Sequence, residues 1–81
     1  MYIKVYRRVN FFPNPFTEKI EIKGDIEKVQ EIVLYDAKMQ LVRKLDISSG
    51  NINLSNLKPG VYMAWATWFN GATSSYKLVK L

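Results

Sequence analysis

The chain contains no cysteine and no histidine among its 81 residues. Without cysteine, no disulfide can support the fold and no thiolate can act as a nucleophile. Without histidine, the commonest general base and the commonest transition-metal ligand are both missing. These two absences exclude thiol catalysis and histidine-based sites, and they leave the redox compartment open.

Long apolar runs are also missing from the sequence. No segment reaches the ~18 consecutive apolar residues that a membrane-spanning helix requires. No positively charged start is followed by a short apolar core, so we expect no signal peptide within these residues. On this interpretation, a secreted form of the protein would carry its signal upstream of this sequence.

Positive charge is in excess, but it is not concentrated. Twelve lysine and arginine residues against seven aspartate and glutamate residues give a net charge of +5. Such a balance can favour an acidic partner, for example nucleic acid or anionic lipopolysaccharide. The cations are scattered, however, and no run of five occurs, so we interpret them as a solvated surface and predict no nucleic-acid partner.

The residues that are present favour β-structure along almost the whole chain. Apolar and polar side chains alternate with the period of two that places neighbours on opposite faces of a strand. Ile20 and Ile22 are predicted to point inward between charged neighbours, and Ile32 and Leu34 to share one face. Segments of this kind occupy residues 2–9, 17–24, 30–36, 40–47, 52–54, 61–69 and 73–81.

Turn signals separate these segments. Pro13 and Pro15 bracket Asn14 and interrupt the alternation, because proline cannot donate a hydrogen bond to a strand ladder. Asn70 and Gly71 form the strongest hairpin signal of the chain. They predict a type I′ turn, in which both central residues have positive φ.

The regular spacing of strands and turns determines the predicted fold class. Short strands that recur about every ten residues are typical of a small sandwich. Helical character is limited to one possible turn within residues 24–32, and the apolar content of 48% is enough for one core. We predict a single all-β domain, a small antiparallel immunoglobulin-like β-sandwich of about seven strands.

The acidic residues form no obvious catalytic or metal-binding motif. They are Glu18, Glu21, Asp25, Glu27, Glu31, Asp36 and Asp46. Most lie at predicted turns or on outward strand faces, although a carboxylate pair can perform acid–base chemistry without histidine. A calcium site needs several oxygen ligands from one loop, and residues 24–27 offer two carboxylates. We predict no enzyme activity, no catalytic residue, no metal and no cofactor.

Residues 61–69 form the longest apolar segment and carry both tryptophans. Trp65 and Trp68 are three positions apart, so a strand points them to opposite faces and they cannot form one stacking platform. Both faces are apolar, which predicts a central strand, and from the residues alone either face can be the core. The face left outside either marks a partner contact or simply covers the neighbouring strands.

Four motifs follow one another along the chain. They are a Pro-Asn-Pro turn followed by Phe16, a tyrosine–aspartate strand end at residues 35–36, a leucine-rich segment leading into Gly-Val-Tyr at residues 54–62, and basic residues near the last position. In this order and spacing, residues 11–81 resemble the C-terminal sorting domain of the type IX secretion system of Bacteroidetes. The matching positions, for which we predict a role in recognition, are Pro13, Asn14, Pro15, Gly60, Val61, Tyr62, Lys77 and Lys80.

The resemblance implies a function without catalysis. Domains of this family end a larger exported cargo protein, and the outer-membrane translocon recognises the folded domain. A sortase then usually removes it, and the cargo is secreted or attached to anionic lipopolysaccharide at the cell surface. The implied partners are the translocon, the sortase and a cargo N-terminal to this chain, and residues 1–10 are expected to be a linker or an extra strand before the domain at residues 11–81.

The resemblance also implies how the aromatic strand is oriented. Tyr62 and the two alanines that alternate after it would face the core, which leaves Met63 and Trp65 as a possible partner surface. Lys80 would be presented at an exposed end of the final strand. On that expectation, replacing Lys80 by alanine changes the free energy of unfolding by under about 0.5 kcal/mol.

Two departures from the family pattern carry structural expectations. Met39 stands where the family usually has glycine, and positive φ costs a non-glycine residue roughly 1–2 kcal/mol. We therefore expect a turn of another type at this position. Ala64 and Ala66 stand where larger aliphatic residues are usual, and Trp68 or Phe11 is expected to fill that volume.

Other functions stay open from the sequence. The alternative function is that of a β-sandwich adhesion module of a surface protein, which binds carbohydrate or protein through the Trp65 face. An enzyme would need clustered, buried carboxylates with raised pKa values. An exposed edge strand could also pair two copies of the domain into a dimer.

Overall fold

The alternating pattern folds into strands throughout the part of the chain that the structure describes, residues 8–81 of a computed structural model. The strands are β1 (Val9–Phe12), β2 (Lys19–Gly24), β3 (Val29–Asp36), β4 (Leu41–Lys44), β5 (Asn51–Asn53), β6 (Gly60–Trp68) and β7 (Thr73–Lys80). One 3₁₀ turn, Ile26–Lys28, lies within the segment that the sequence marks as compatible with a helical turn.

Two antiparallel sheets make up the fold. The first has the strand order β1-β2-β5, and the second has the order β4-β3-β6-β7. Consecutive strands cross from one sheet to the other after β2, β4 and β5, which is the connectivity of an immunoglobulin-like sandwich with its fourth strand in the larger sheet. The predicted fold class is therefore confirmed.

The core lies between the inner faces of the two sheets. The alternation places the predicted residues there: Ile20, Ile22, Ile32, Leu34, Ala64, Ala66 and Trp68 are at most 2% exposed. Each large aliphatic side chain buried in this way stabilises the fold by about 1.5–3 kcal/mol. Trp68 lies on the same buried face of β6 as the two alanines, and its indole nitrogen donates to the Ser74 hydroxyl at 3.1 Å. That Trp68 or Phe11 fills the volume left by the alanines stays a prediction.

The first strand that the structure describes extends beyond the predicted segment. Residues 2–9 alternate, but residues 1–7 lie outside the described part of the chain. The strand that the structure shows runs from Val9 through Phe12, so it includes the phenylalanine pair that the sequence assigned to the interruption. Phe11 pairs with Ile22 of β2, and pairing ends where Pro13 removes the next backbone donor. The boundary between linker and domain at residues 10 and 11 stays a prediction.

The hairpin between β6 and β7 has a different turn from the predicted type I′. Gly71 N donates to Trp68 O at 2.8 Å, and Trp68 N donates to Ala72 O at 2.9 Å. Gly71 has a φ of 89°, whereas Asn70 does not have positive φ. The loop therefore has three residues, a type I turn followed by a left-handed glycine, and the type I′ prediction is wrong.

The turn between β3 and β4 also differs from expectation. Met39 has a φ of 62°, so the expectation that the turn avoids positive φ at this position is wrong. The Asp36 side chain explains why the conformation persists. One carboxylate oxygen of Asp36 accepts hydrogen bonds from the backbone N–H groups of Lys38 and Gln40, each at 2.9 Å. These bonds hold the turn against the cost of the left-handed methionine.

A glycine is required where β2 ends. Gly24 has a φ of 123°, and a Cβ atom at this position would overlap the backbone oxygen of Arg8. Asp25 N donates to that same oxygen at 3.0 Å, and Arg8 N donates to the Asp25 carboxylate at 3.0 Å. The backbone therefore passes very close to β1 here, and only glycine leaves room.

Candidate recognition site

The Pro-Asn-Pro turn lies against the outer edge of the last strand. Both of its prolines follow cis peptide bonds. The Asn14 amide nitrogen donates to Lys77 O at 2.9 Å, and Val79 N donates to the Asn14 amide oxygen at 3.0 Å. A neighbouring strand would make the same pair of bonds, so the Asn14 side chain takes the place of a strand residue beside β7.

Phe16 extends this cover along β7. Its N–H donates to Val79 O at 2.9 Å, and its carbonyl oxygen accepts from Leu81 N at 2.8 Å. Its side chain is 1% exposed and belongs to the core. We call the contact of residues 14–16 with the β7 edge the edge clamp. It joins the first turn of the domain to its last residues, which are more than 60 positions away.

Lys80 does not lie at an exposed end, and that expectation is wrong. Only 9% of the residue is exposed. Strand alternation places Lys80 on the same inward face as the buried Leu78, and its neighbours in the sheet are Gly60 and Phe16. Its carbon chain is buried at the end of the sandwich, and its Nζ atom lies 3.3 Å from Leu81 O. Lys77, in contrast, is exposed.

The Gly-Val-Tyr motif starts β6 next to this point. Gly60 has a φ of 152° directly after Pro59, as the turn was expected to require. Tyr62 is 7% exposed, and its hydroxyl donates to Lys58 O at 2.6 Å. This bond fixes the preceding loop to the start of the strand, in the manner of the tyrosine corner of immunoglobulin-like folds. The predicted need of the buried ring for a polar partner is confirmed.

Met63 and Trp65 lie on the outer face of the four-stranded sheet, half-buried, which confirms the predicted orientation of β6. A shallow groove of about 320 Å³ crosses this face. Its lining consists of Glu31, Val33, Tyr35, Met39, Trp65 and Thr67. The indole nitrogen of Trp65 is buried and has no hydrogen-bond partner within residues 8–81.

The predicted recognition residues converge at one end of the larger sheet. Val61 pairs with Val79, and Met63 pairs with Lys77, so the motif residues and the outer apolar face are continuous. Sequence reasoning named Asn14 but missed its contact with β7. The available signal was an asparagine held between two prolines, whose side chain is free to bond elsewhere.

The carboxylates form no comparable cluster. Across residues 8–81, no group of three or more aspartate or glutamate side chains could hold a metal ion. The Ser48 hydroxyl and backbone N–H donate to the exposed Asp46 at 2.5 and 3.1 Å, and these bonds hold the pKa of Asp46 below its usual value. In the same part of the chain, no helix is long and apolar enough to cross a membrane.

A family model described as the secretion system C-terminal sorting domain matches residues 10–80. The chain belongs to this family, the sorting domains of type IX secretion. Comparisons with curated proteins and with solved structures returned no match. The match starts within β1, one residue after Val9, and ends at the last residue of β7, so it covers residues from all seven strands of the sandwich.

In this sorting domain, the residues of the family motifs fall into two groups, those that fix the backbone and those that are exposed. Asn14 and Tyr62 make hydrogen bonds that fasten turns to strands, and Gly60 supplies the backbone conformation that starts β6. Val61 and Lys77 are exposed and available to another molecule.

Proposed function

We propose that the chain is a non-catalytic signal that directs a cargo protein on its N-terminal side across the outer membrane through the type IX secretion system. A sortase removes the signal, and the cargo is then released or attached at the cell surface. The observation that carries this proposal is the family match over residues 10–80, which spans the whole sandwich.

The surface that the translocon reads, on this proposal, is the end of the larger sheet around the edge clamp. Three features support it. Asn14 holds the clamp in place, Lys77 supplies an exposed charge, and Val61 adds an exposed apolar side chain 39% accessible to solvent. Lys80 acts here chiefly through its buried carbon chain, which supports the end of β7.

The proposed role needs no catalytic group. The carboxylates lie at turns and outward strand positions, and Asp36 and Asp46 each bond to backbone N–H groups of their own turns. These contacts stabilise the turns, which gives both carboxylates a structural role.

Mass analysis of an exported reporter tests removal by the sortase. The reporter carries its own inner-membrane signal and residues 1–81 at its carboxyl end, and it is expressed in a host with type IX machinery. We expect reporter outside the cell, shortened by about the 9.4 kDa of this domain. Export of the full-length fusion would contradict removal while leaving the sorting role intact.

The matched controls separate loss of folding from loss of recognition. Leu34→Asp places a charge in the core at a position that is 0% exposed, so the domain should unfold and the reporter should stay in the periplasm. Lys28→Gln removes an exposed charge at the other end of the larger sheet, beside the end of β6, and should leave export unchanged. Periplasmic retention of a folded, unaltered fusion would contradict the proposed function.

A second candidate function is adhesion through the outer face. The groove beside Trp65 combines aromatic side chains with the Glu31 carboxylate, and the buried indole nitrogen of Trp65 lacks a partner within residues 8–81. A glycan array probed with the isolated chain tests this role. Binding that is lost in Trp65→Phe and kept in Phe69→Leu would favour adhesion, whereas no binding at millimolar sugar would dismiss it for carbohydrate.

A further inference from the structure

Within residues 8–81, the outer edge of β7 is open over half its length. In the β6–β7 hairpin, Trp68 N bonds to Ala72 O, and hydrogen-bonded pairs alternate from there along the register. Residues 73, 75, 77 and 79 therefore point their backbone N–H and C=O groups away from β6. The contacts of the edge clamp agree with this, because they engage Lys77 O and both backbone groups of Val79.

The clamp leaves a row of backbone groups free. Within residues 8–81, the outward N–H and C=O groups of Thr73 and Ser75, and the N–H of Lys77, have no hydrogen-bond partner. The free stretch is limited by the Gly71 hairpin on one side and by Asn14 on the other. An added strand could pair here over about five residues, a length typical of strands in proteins.

A groove accompanies this open edge. It has a volume of about 440 Å³ and runs between β7 and β1, which is the edge strand of the other sheet. Phe11 and Tyr76, whose ring centroids lie 5.1 Å apart, provide apolar surface in the groove. A strand added to β7 would therefore find contacts for alternate side chains as well as for its backbone.

The charged side chains that line the groove are all basic. Arg8 and Lys77 are among its lining residues, and no aspartate or glutamate lines it. The whole chain has a net charge of +5. Acidic side chains on an incoming strand would therefore be attracted to the groove, and basic side chains would be repelled.

We propose that an extended segment with acidic side chains, supplied by a partner protein, adds as a strand to the β7 edge between Thr73 and Lys77. Asn14 already makes strand-like hydrogen bonds to the same edge, so the edge is geometrically able to accept a strand. A second copy of this chain fits less well, because it would bring a second net charge of +5 to a basic groove. The inference stands independently of the secretion role.

Binding of a designed peptide to the full 81-residue chain tests the proposal. The probe is a seven-residue peptide of alternating valine and glutamate, and the matched control has lysine at every glutamate position. NMR titration at low salt should shift the amide signals of Ser75 and Lys77, with the acidic peptide binding at least tenfold more tightly than the basic one. Added salt should reduce that preference.

Substitutions at the outer edge of β7 test which groups bind the peptide. Ser75→Pro removes one outward N–H and should abolish peptide binding, whereas Ser75→Ala keeps that N–H and should bind normally. Lys77→Gln should weaken binding of the acidic peptide about threefold or more. Lys38→Gln, an equal change of charge at the opposite edge of the sheet, should have no effect.

Three results would overturn the proposal. The first is equal binding of the acidic and basic peptides, or amide shifts confined to other strands. The second is slow hydrogen exchange of the Ser75 and Lys77 amides in the free monomer, because the edge would then already be occupied within the chain. The third is a dimer that forms without peptide and protects the same two amides, because the occupant would then be a second copy.

Discussion

At the scale of single residues, Met39 shows how a small number of hydrogen bonds can impose an unfavourable conformation. The Asp36 carboxylate accepts two backbone bonds across the turn, and Met39 takes a φ of 62° as a result. This conformation lowers the free energy of unfolding, and a substitution at position 39 that tolerates positive φ should raise it again. The sequence correctly identified the position as unusual, but it could not show that Asp36 would hold the turn.

We expect Met39→Gly to raise the free energy of unfolding by about 1 kcal/mol, because glycine adopts positive φ without the side-chain clash. Ala37→Gly, in the same turn but without positive φ, is the matched control and should lower stability by about 0.5–1 kcal/mol. Urea denaturation of both variants measures the difference. Equal losses of stability would show that Met39 is not strained.

For Lys80, the question is whether the stability and export of the domain depend on its charge or on its carbon chain. Because the residue is only 9% exposed, we expect Lys80→Ala to cost about 1–2 kcal/mol through lost burial of the carbon chain. Lys80→Met keeps most of that volume and should unfold at nearly the same urea concentration as the original chain. A Lys80→Met domain that is stable but fails in export would show that the translocon reads the charge.

At the scale of elements, the edge clamp makes the last strand depend on the first turn. Asn14→Ala removes two hydrogen bonds to β7, each worth about 0.5–1.5 kcal/mol. We expect the Val79 amide to exchange much faster in this variant, since its bond to Asn14 is lost. Asn10→Ala, at an exposed position of β1, is the control. Equal exchange rates of the Val79 amide in both variants would show that the Asn14 side chain does not hold the β7 edge.

The elements that sequence reasoning predicted well are those with alternation on one buried face. Ile20 and Ile22 in β2, and Ile32 and Leu34 in β3, follow the pattern because a shift of one residue would expose them. The predictions failed where contacts between residues far apart in the sequence determine the turn type or the strand bounds. The three-residue loop at Gly71 and the continuation of β1 through Phe12 depend on sheet register and neighbouring strands, which local patterns do not encode.

The geometry of the candidate site was not predictable from the sequence, and the role of its residues in recognition stays a prediction. The motif positions were named from the resemblance, and they do converge at one end of the larger sheet. Asn14 and Lys77 are 63 positions apart, and nothing in their local sequences shows that they meet. The burial of Lys80 could have been found from strand alternation, because Leu78 two positions earlier is a core residue.

At the scale of the whole molecule, the sandwich joins residues from both ends of the domain into one surface. A fusion with only residues 60–81 keeps the β6–β7 hairpin but lacks the edge clamp, β3 and the other sheet. Because an isolated hairpin is marginally stable at best, we expect no export of such a fusion. Export at the level given by the full domain would show that a linear signal is enough.

The most direct test of the central claim is the secreted fraction of a reporter fused to residues 1–81, measured in two otherwise identical hosts. One host has an intact type IX translocon, and the other lacks it. We predict reporter outside the cell in the first host and folded reporter retained in the periplasm of the second. The same secreted fraction in both hosts, or retention of a folded domain in both, would contradict the sorting function.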